Sequence, residues 1–184
     1  MREAGCTATQ YHGLVPESAA DAHRADAPAA VRCFIVTISD TRTEATDTSG
    51  AAIVSLVGAA GHAVSGRTIV KDDAAAIRGA VSSAAGSGAS DAIITTGGTG
   101  ISARDGTYDA IAALFDRRLD GFGELFRALS YQEIGSAAML SRAAAGIIGR
   151  CAVFVLPGSE HAVRLGMEKL ILPEIGHMVR ELRR

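Results

Sequence analysis

The run from Val31 to Ser39 constrains the fold of this chain more than any other stretch of its sequence. It reads Val-Arg-Cys-Phe-Ile-Val-Thr-Ile-Ser, which is apolar almost without interruption. This pattern is typical of a strand that is buried on both faces. Such a strand needs helices on both sides of its sheet, so the run indicates an α/β protein.

Further strands and helices alternate along the first half of the chain. The sequence predicts a helix over 48–61, a strand over 63–70, a helix through Ile77 and Ala84, and a strand over 91–96. The order strand, helix, strand, helix, strand is typical of a parallel sheet wound by right-handed crossovers. The predicted fold is therefore a three-layer α/β/α domain with a mostly parallel sheet and helices on both faces.

The second half of the chain is predicted to add more helices and one pair of strands. Two extended segments meet at the turn Gly149-Arg150, and Pro173 is expected to separate two C-terminal helices. The predicted elements are helices over 107–115, 126–140, 162–170 and 171–182, a charged loop over 116–124, and extended segments over 144–148 and 151–156.

Composition bounds the size of the folded unit. The 184 residues are 48% hydrophobic and 21% charged, which is enough apolar material for one well-packed domain and too little length for two of full size. Residues 1–30 are rich in Ala, Asp and His and follow neither hydrophobic period, so they are predicted to be a flexible N-terminal extension. Residues 31–184 are predicted to form the single domain.

Charge and hydropathy exclude several classes of partner. The formal net charge of -2 offers no basic face to nucleic acid. No apolar stretch approaches the roughly 20 residues that span a bilayer, and the N-terminus lacks the pattern of a secretory signal, so no membrane partner and a cytoplasmic location are expected. Cys6, Cys33 and Cys151 lie far apart and indicate reduced thiols, with neither a zinc site nor a disulfide framework.

The third predicted strand breaks abruptly into the loop Gly97-Gly98-Thr99-Gly100. Ligands of wound parallel sheets bind beyond the carboxyl ends of the strands, where the loops around Asp40 and Asp72 also end. Glycines permit positive φ and let backbone amides approach an anion closely. This loop is therefore predicted to bind a phosphate ester.

Three other interpretations of the glycines fit less well. A dinucleotide fingerprint would follow the first strand and open a helix, whereas this loop follows the third strand and is interrupted at Arg104-Asp105-Gly106. A Walker A loop would continue with Gly-Lys-Ser/Thr, which is absent from the sequence. A plain sharp turn needs fewer small residues than the four found here.

Aspartates stand on both sides of the glycine loop in the sequence. Asp72 and Asp73 follow the second strand, and one of them is expected to cap the next helix. Because Mg²⁺ takes one or two carboxylates together with substrate phosphates, Asp72 with Asp105 is a candidate metal site. Pro157-Gly158-Ser159 ends the last strand at the same edge and is a candidate second wall of the site.

Short motifs occur in a fixed order along the chain: 47–50 (DTSG), 69–72 (IVKD), 96–100 (TGGTG), 121–130 (GFGELFRALS), 133–135 (EIG), 141–143 (SRA) and 156–159 (LPGS). Taken together, they resemble the molybdenum cofactor biosynthesis protein B and Mog family. The ordered set is far more specific than any one motif. The resemblance runs from about residue 31 to the C-terminus, and residues 1–30 lie outside it.

The resemblance implies a molybdopterin-binding α/β/α domain that transfers AMP from Mg-ATP to the terminal phosphate of molybdopterin and releases pyrophosphate. By the same resemblance, Asp72 binds Mg²⁺, and Asp105 positions the reacting phosphate or the metal. The implied substrate-binding residues are Thr96, Gly97, Gly98, Thr99, Gly100, Ser141, Arg142, Pro157, Gly158 and Ser159.

Oligomeric assembly is also implied, because members of this family form trimers or hexamers. The apolar side chains of Phe122, Phe126 and Leu129 are candidates for that contact. The sequence does not separate this role from ordinary packing in the core.

One loop departs from the family's pattern. The chain reads Arg-Asp-Gly-Thr-Tyr over 104–108, where the adenylyltransferase branch typically reads Arg-Asp-Val-Thr-Pro, and the glycine predicts a more mobile loop. Some members of the B branch resemble this chain closely over 121–130 yet lack the activity, so molybdopterin binding without catalysis is the main alternative, and an oligomeric interaction scaffold is a third. The presence of Asp72 and Asp105 favours catalysis.

Overall fold

A six-stranded mixed sheet organises the computed structural model, which describes residues 28–102 and 105–184. The strands, in spatial order, are β2 (Ala63–Val70), β1 (Arg32–Ile38), β3 (Ala92–Thr96), β6 (Cys151–Leu156), β5 (Ala144–Ile148) and β4 (Arg117–Arg118). The first four are mutually parallel, whereas β5 pairs antiparallel with both of its neighbours, β6 and β4. The predicted extension over 1–30 lies outside the described residues except for 28–30.

Helices cover both faces of this sheet, which confirms the predicted α/β class. They are α1 (Thr48–Ala59), α2 (Ala74–Gly86), α3 (Thr107–Ala112), α4 (Asp120–Ile134), α5 (Glu160–Gly166) and α6 (Leu172–Arg183), with a 3₁₀ turn at Gly135–Leu140 and a π-helical turn at Met167–Ile171. None of the helices within the described part of the chain combines the length and apolarity needed to cross a membrane.

Alternate residues of each central strand enter different halves of the core. This arrangement explains the nearly continuous apolar sequence of β1, because both of its faces are covered by helices. On one face, Ile35, Ile94 and Phe154 pack with α1 and the helices from α4 onward; on the other, Val36, Ile93 and Val153 pack with α2 and α3.

Several predicted boundaries differ from the structure. The helix expected over 107–115 ends at Ala112, and the charged loop over 116–124 contains both β4 and the beginning of α4. The helix expected to continue to 140 ends at Ile134, because Gly135 has φ +61 and a 3₁₀ turn follows. A two-residue edge strand such as β4 is too short to show the alternation of apolar and polar residues by which strands are predicted.

Pro173 does not separate two C-terminal helices. The helical path from Glu160 to Arg183 is continuous, and Pro173 lies in the first turn of α6, directly after the π-helical turn. A proline is tolerated there because the altered backbone pairing of the wider turn accommodates its missing N–H.

Phe122, Phe126 and Leu129 belong to the core of this protomer. Phe126 is 1% exposed, and the other two are partly buried against the same cluster. The rings of Phe122 and Phe126 stack with their centroids 6.3 Å apart. Phe126 therefore stabilises the packing of α4 on the sheet and offers no surface to a second copy, whereas Phe122 and Leu129 keep part of their surface exposed.

The two described cysteines are free and buried, in agreement with the prediction of reduced thiols. Burial raises the pKa of Cys33 and of Cys151 to about 12, so both remain protonated at neutral pH. Cys6 lies outside the described residues.

Asp91, just before β3, connects the amino edge of the sheet to the last helix. Its side chain is 9% exposed and accepts hydrogen bonds from the Arg32 amide (3.0 Å), the Arg32 guanidinium (3.0 Å) and the Arg183 guanidinium (2.9 Å). Hydrogen bonding by Arg32 is the main cause that holds the pKa of Asp91 far below its usual range, against the opposing effect of burial.

We expect Asp91→Asn to lower the free energy of unfolding by about 1–2 kcal/mol at pH 7, because both arginines are half exposed and the pair is partly screened. The stabilisation from a carboxylate with a lowered pKa is complete above its unfolded pKa of about 4 and is lost as the pH falls below that value. Urea unfolding at pH 7 and pH 3 measures both effects. Glu168→Gln is the matched control, and an equal loss in that variant would contradict a specific role for Asp91.

Candidate functional site

The loop after β3 has a backbone that only glycine accommodates at two positions. Gly97 has φ +108 and Gly98 has φ +62. A β-carbon would lie 2.3 Å from the Ile38 carbonyl oxygen at position 97 and 2.1 Å from the Thr107 hydroxyl at position 98. The Thr107 amide also donates to the Gly98 carbonyl at 3.1 Å. The glycines therefore allow β1, the loop and α3 to approach closely.

Hydrogen bonds to the end of β6 hold the beginning of this loop. The Gly97 amide donates to Leu156 O at 3.1 Å, and the Thr96 hydroxyl donates to Pro157 O at 2.9 Å. The Gly97 amide is thus engaged within the fold. Within residues 28–102 and 105–184, the amides of 98–100 donate no hydrogen bond, and of these three residues Gly98 lines a cavity at this edge of the sheet.

Two carboxylates lie against the same loop. A β-carbon on Gly98 would lie 3.0 and 3.1 Å from the two carboxylate oxygens of Asp72. A β-carbon on Gly100 would lie 2.6 Å from an Asp105 oxygen, which also accepts the Ser102 amide at 2.9 Å. The structure thus brings Asp72 and Asp105 to one glycine loop, although they come from different parts of the sequence.

The neighbouring aspartate, Asp73, has a different role. Its carboxylate caps α2 by accepting the amides of Ala75 (3.0 Å) and Ala76 (2.9 Å). The Asp72 amide, in contrast, is held by Asp40 Oδ1 at 3.2 Å. The cap expected from one of the two aspartates is therefore Asp73, and the loops after β1 and β2 meet as predicted.

A cavity of about 190 Å³ opens at this carboxyl edge, between the ends of β1, β3 and β6. Three strands end there because they are parallel neighbours in the sheet. Its lining residues are Thr37, Ile38, Arg42, Thr96, Gly97, Gly98 and Gly158.

Asp47 contacts two lining residues of this cavity, Thr37 and Arg42, and the sequence indicates it only as part of a motif. Its carboxylate is fully buried and accepts hydrogen bonds from the Thr37 hydroxyl (2.6 Å), the Gly50 amide (2.9 Å) and Arg67 (2.7 Å). Burial by itself would raise the pKa of Asp47, but these partners together lower it. The carboxylate is therefore ionised in the folded protein.

Arg42 is a lining residue that sequence reasoning missed. Its guanidinium donates to Ser49 Oγ at 2.9 Å, to Asp47 Oδ1 at 3.3 Å and to the Gly158 carbonyl at 3.3 Å. An isolated arginine in a polar loop carries no sequence signal for such a position.

A second cavity of about 550 Å³ contains two other predicted residues, Ser141 and Arg142. It is distinct from the glycine-loop cavity, so the predicted substrate-binding residues are divided between two places. Its lining residues are Tyr108, Arg118, Leu119, Asp120, Gly123, Glu124, Arg127, Met139, Ser141, Arg142, Ala143, Ala144 and Ala145.

Tyr108, at the position that departs from the family's pattern, lies between two arginines of this second cavity. The Arg142 guanidinium is 4.4 Å from its ring centroid, and Arg118 donates to its hydroxyl at 2.7 Å. Arg142 also pairs with Asp109 and lowers the pKa of that carboxyl. Since Thr107 contacts the glycine loop, the first turn of α3 connects the two cavities.

The remaining predicted residues have structural contacts of their own. Ser159 caps α5 by accepting the Ala162 amide at 3.2 Å, and it is exposed. Thr99 is 4% exposed and lies within the loop. Pro157 contributes its carbonyl oxygen to Thr96.

Comparison with known proteins identifies the family. A family model described as a probable molybdopterin binding domain matches residues 34–177. Molybdenum cofactor biosynthesis protein B of Bacillus cereus is 55% identical over 163 residues, which cover 88% of this chain and 96% of that protein. The chain belongs to the molybdenum cofactor biosynthesis protein B and Mog family. The protein therefore acts in molybdenum cofactor biosynthesis through a molybdopterin-binding domain.

Solved structures from this family share the fold. A crystal structure of a molybdenum cofactor biosynthesis protein B superposes with a TM-score of 0.84 at 57% identity, covering 86% of this chain and 99% of that one. The tungsten cofactor synthesizing protein MoaB from Pyrococcus furiosus superposes with a TM-score of 0.77 at 40% identity, covering 86% of this chain and all 100% of its own.

Proposed function

We propose that this protein transfers AMP from Mg-ATP to the terminal phosphate of molybdopterin, giving adenylyl-molybdopterin and pyrophosphate. The observation that supports this proposal most is the position of Asp72 and Asp105 against a glycine loop whose 98–100 amides face no protein partner among the described residues. Amides and carboxylates at the carboxyl edge of a parallel sheet suit a phosphate ester with a bound cation.

The proposed reaction needs no nucleophilic side chain. An oxygen of the molybdopterin phosphate attacks the α-phosphorus of ATP, the bond to the bridging α–β oxygen breaks, and pyrophosphate leaves with that oxygen. The protein's contribution to such a transfer is alignment and the neutralisation of charge. The loop would align the acceptor phosphate, since hydrogen bonds of Thr96 and Gly97 fix its start to the end of β6.

We propose that Asp72 and Asp105 would hold a magnesium ion as resident cofactor. Both are carboxylates, and Mg²⁺ in phosphate-transfer sites is typically held by one or two carboxylates plus substrate oxygens. The backbone of Gly98 and Gly100 leaves no room for a side chain beside these carboxylates. When bound, the ion would neutralise charge on the phosphates of ATP.

The second cavity supports the binding of the larger, planar parts of the substrates. At about 550 Å³ it is large enough for a ring system, and its lining includes Ser141, Arg142 and Tyr108. We propose that these residues, with Pro157, Gly158 and Ser159 near the first cavity, line the pterin and nucleotide sides of the substrates.

An assay of purified protein tests the proposal. With Mg-ATP and molybdopterin we expect pyrophosphate release and formation of adenylyl-molybdopterin, detected by chromatography, and we expect both to stop when EDTA removes the metal. Molybdopterin binding without turnover would replace this proposal with a non-catalytic binding role. Loss of binding as well would favour an interaction scaffold.

We further propose that the protein works as a homo-oligomer, a trimer or a hexamer. Large apolar side chains of α4 and the following 3₁₀ turn are exposed on this protomer, and they offer a surface that the buried Phe126 does not. They are Leu125 (56% exposed), Tyr131 (63%), Ile134 (54%), Met139 (77%) and Leu140 (48%).

We expect Ile134→Asp to shift the mass of the particle toward the monomer, because a charge would be buried without a partner in an apolar interface. Light scattering after size-exclusion chromatography measures this shift. Val64→Asp, which places the same charge on exposed β2, is the control. An unchanged mass for Ile134→Asp would show that this surface does not carry the contact.

A further inference from the structure

Arg42 supplies the positive charge of the glycine-loop cavity. Among the described residues that line it, the others are threonines, glycines and one isoleucine. A phosphate monoester carries up to two negative charges, and backbone amides neutralise only part of them. The cavity therefore pairs a polar loop with a single cation.

The guanidinium of Arg42 is held in place before any ligand arrives. It donates to Ser49 Oγ at 2.9 Å and to Asp47 Oδ1 at 3.3 Å, and its side chain is 32% exposed. The loop that carries it is anchored to the end of β1, since the Arg42 amide donates to Ser39 Oγ at 3.1 Å. Such preorganisation reduces the entropy lost on binding.

Pairing with Asp47 does not neutralise the positive charge of Arg42 completely. Asp47 pairs with Arg67 at 2.7 Å and more loosely with Arg42 at 3.3 Å. Two arginines thus share one carboxylate, and the group of three has a net charge of +1. Because Arg67 is the closer partner of Asp47, the unbalanced charge belongs to Arg42 at the cavity wall.

A purely structural role explains Arg42 less well. Its bond to the Gly158 carbonyl is 3.3 Å long, while Ser49 Oγ donates to the same oxygen at 2.7 Å. A neutral donor therefore already satisfies that carbonyl. A helix cap at Asp47 needs only the Gly50 amide, and not two arginines.

We propose that Arg42 binds the phosphate monoester of the ligand in this cavity and that the buried Asp47, balanced by Arg67, positions it. This inference rests on the proposed function, which places a phosphorylated pterin at the glycine loop. Arginine suits the task because its guanidinium offers five N–H donors in one plane. Arg42 lines the cavity, and Ser49, Asp47 and Gly158 engage only part of these donors.

The test compares molybdopterin with its dephosphorylated form. For Arg42→Gln we expect the Kd of molybdopterin to rise about 10- to 100-fold, the loss typical of a charged hydrogen bond, while the Kd of the dephosphorylated form stays as in the wild type. Arg42→Lys is expected to recover part of the loss, and Asp47→Asn to reproduce part of it. Arg78→Gln, on exposed α2, is the matched control.

Melting temperatures of all variants separate binding from folding. An equal loss for both ligands, or no loss for either, would overturn the assignment of Arg42. Binding of molybdopterin by the wild type without pyrophosphate release would contradict adenylyl transfer and leave the comparison for Arg42 valid. Absence of molybdopterin binding by the wild type would overturn both proposals.

Discussion

Asp105→Ala is expected to lower pyrophosphate release by at least about 100-fold while the protein remains folded. Asp105 lies against Gly100 and accepts the Ser102 amide at 2.9 Å. The substitution removes a charge from the proposed metal site and also a hydrogen bond that shapes the loop. Removing one preorganised electrostatic group from an active site typically costs a factor of this size.

Asp105→Asn separates the two effects, because asparagine keeps an acceptor oxygen for the Ser102 amide and loses the charge. We expect it to be as inactive as Asp105→Ala, with a melting temperature closer to the wild type. Full activity in Asp105→Asn would falsify the metal-binding role and leave Asp105 as a residue that shapes the loop. Asp73→Asn is the control, since Asp73 caps α2 and an asparagine can do the same.

Gly98→Ala is expected to have the second large effect, on stability and on molybdopterin binding together. Its β-carbon would lie 2.1 Å from the Thr107 hydroxyl in a backbone with φ +62. Either the loop or α3 must move, which we expect to cost about 1–3 kcal/mol of unfolding free energy and most of the binding. Thermal unfolding and ligand titration measure the two losses.

Two further variants test whether this clash is the cause. Gly106→Ala is the matched control, because a β-carbon there meets no atom within 4 Å and the φ is -91. Thr107→Ala added to Gly98→Ala should recover part of the melting temperature, since it removes the closest contact. Failure of the double variant to recover any of it would point to the positive φ alone.

In the structure, the departure from the family's pattern over 104–108 affects the lining of the second cavity. The sequence predicts greater mobility from Gly106, and Ala103 and Arg104 lie outside the described residues. The described part shows Tyr108 packed against Arg142 and bonded to Arg118. Tyr108 therefore contributes an aromatic surface to the second cavity.

Features that depend on local chemistry could be predicted from the order of the residues alone. The two-sided apolar pattern of β1 required a covered sheet, and the glycines at 97 and 98 indicated the positive φ that the loop has. Since parallel strands end at one edge, the meeting of Asp72 with the loop also followed from the predicted strand order.

Which of the remaining side chains share a site depends on how distant segments pack together. Arg42 reaches the Gly158 carbonyl across 116 residues of sequence, and Asp47 pairs with Arg67 on another strand. Ser141 and Arg142 lie in a second cavity, and Phe126 is in the core. These outcomes depend on the free energy of contacts between segments that are distant in the sequence. Local periodicity and single motifs do not predict such contacts.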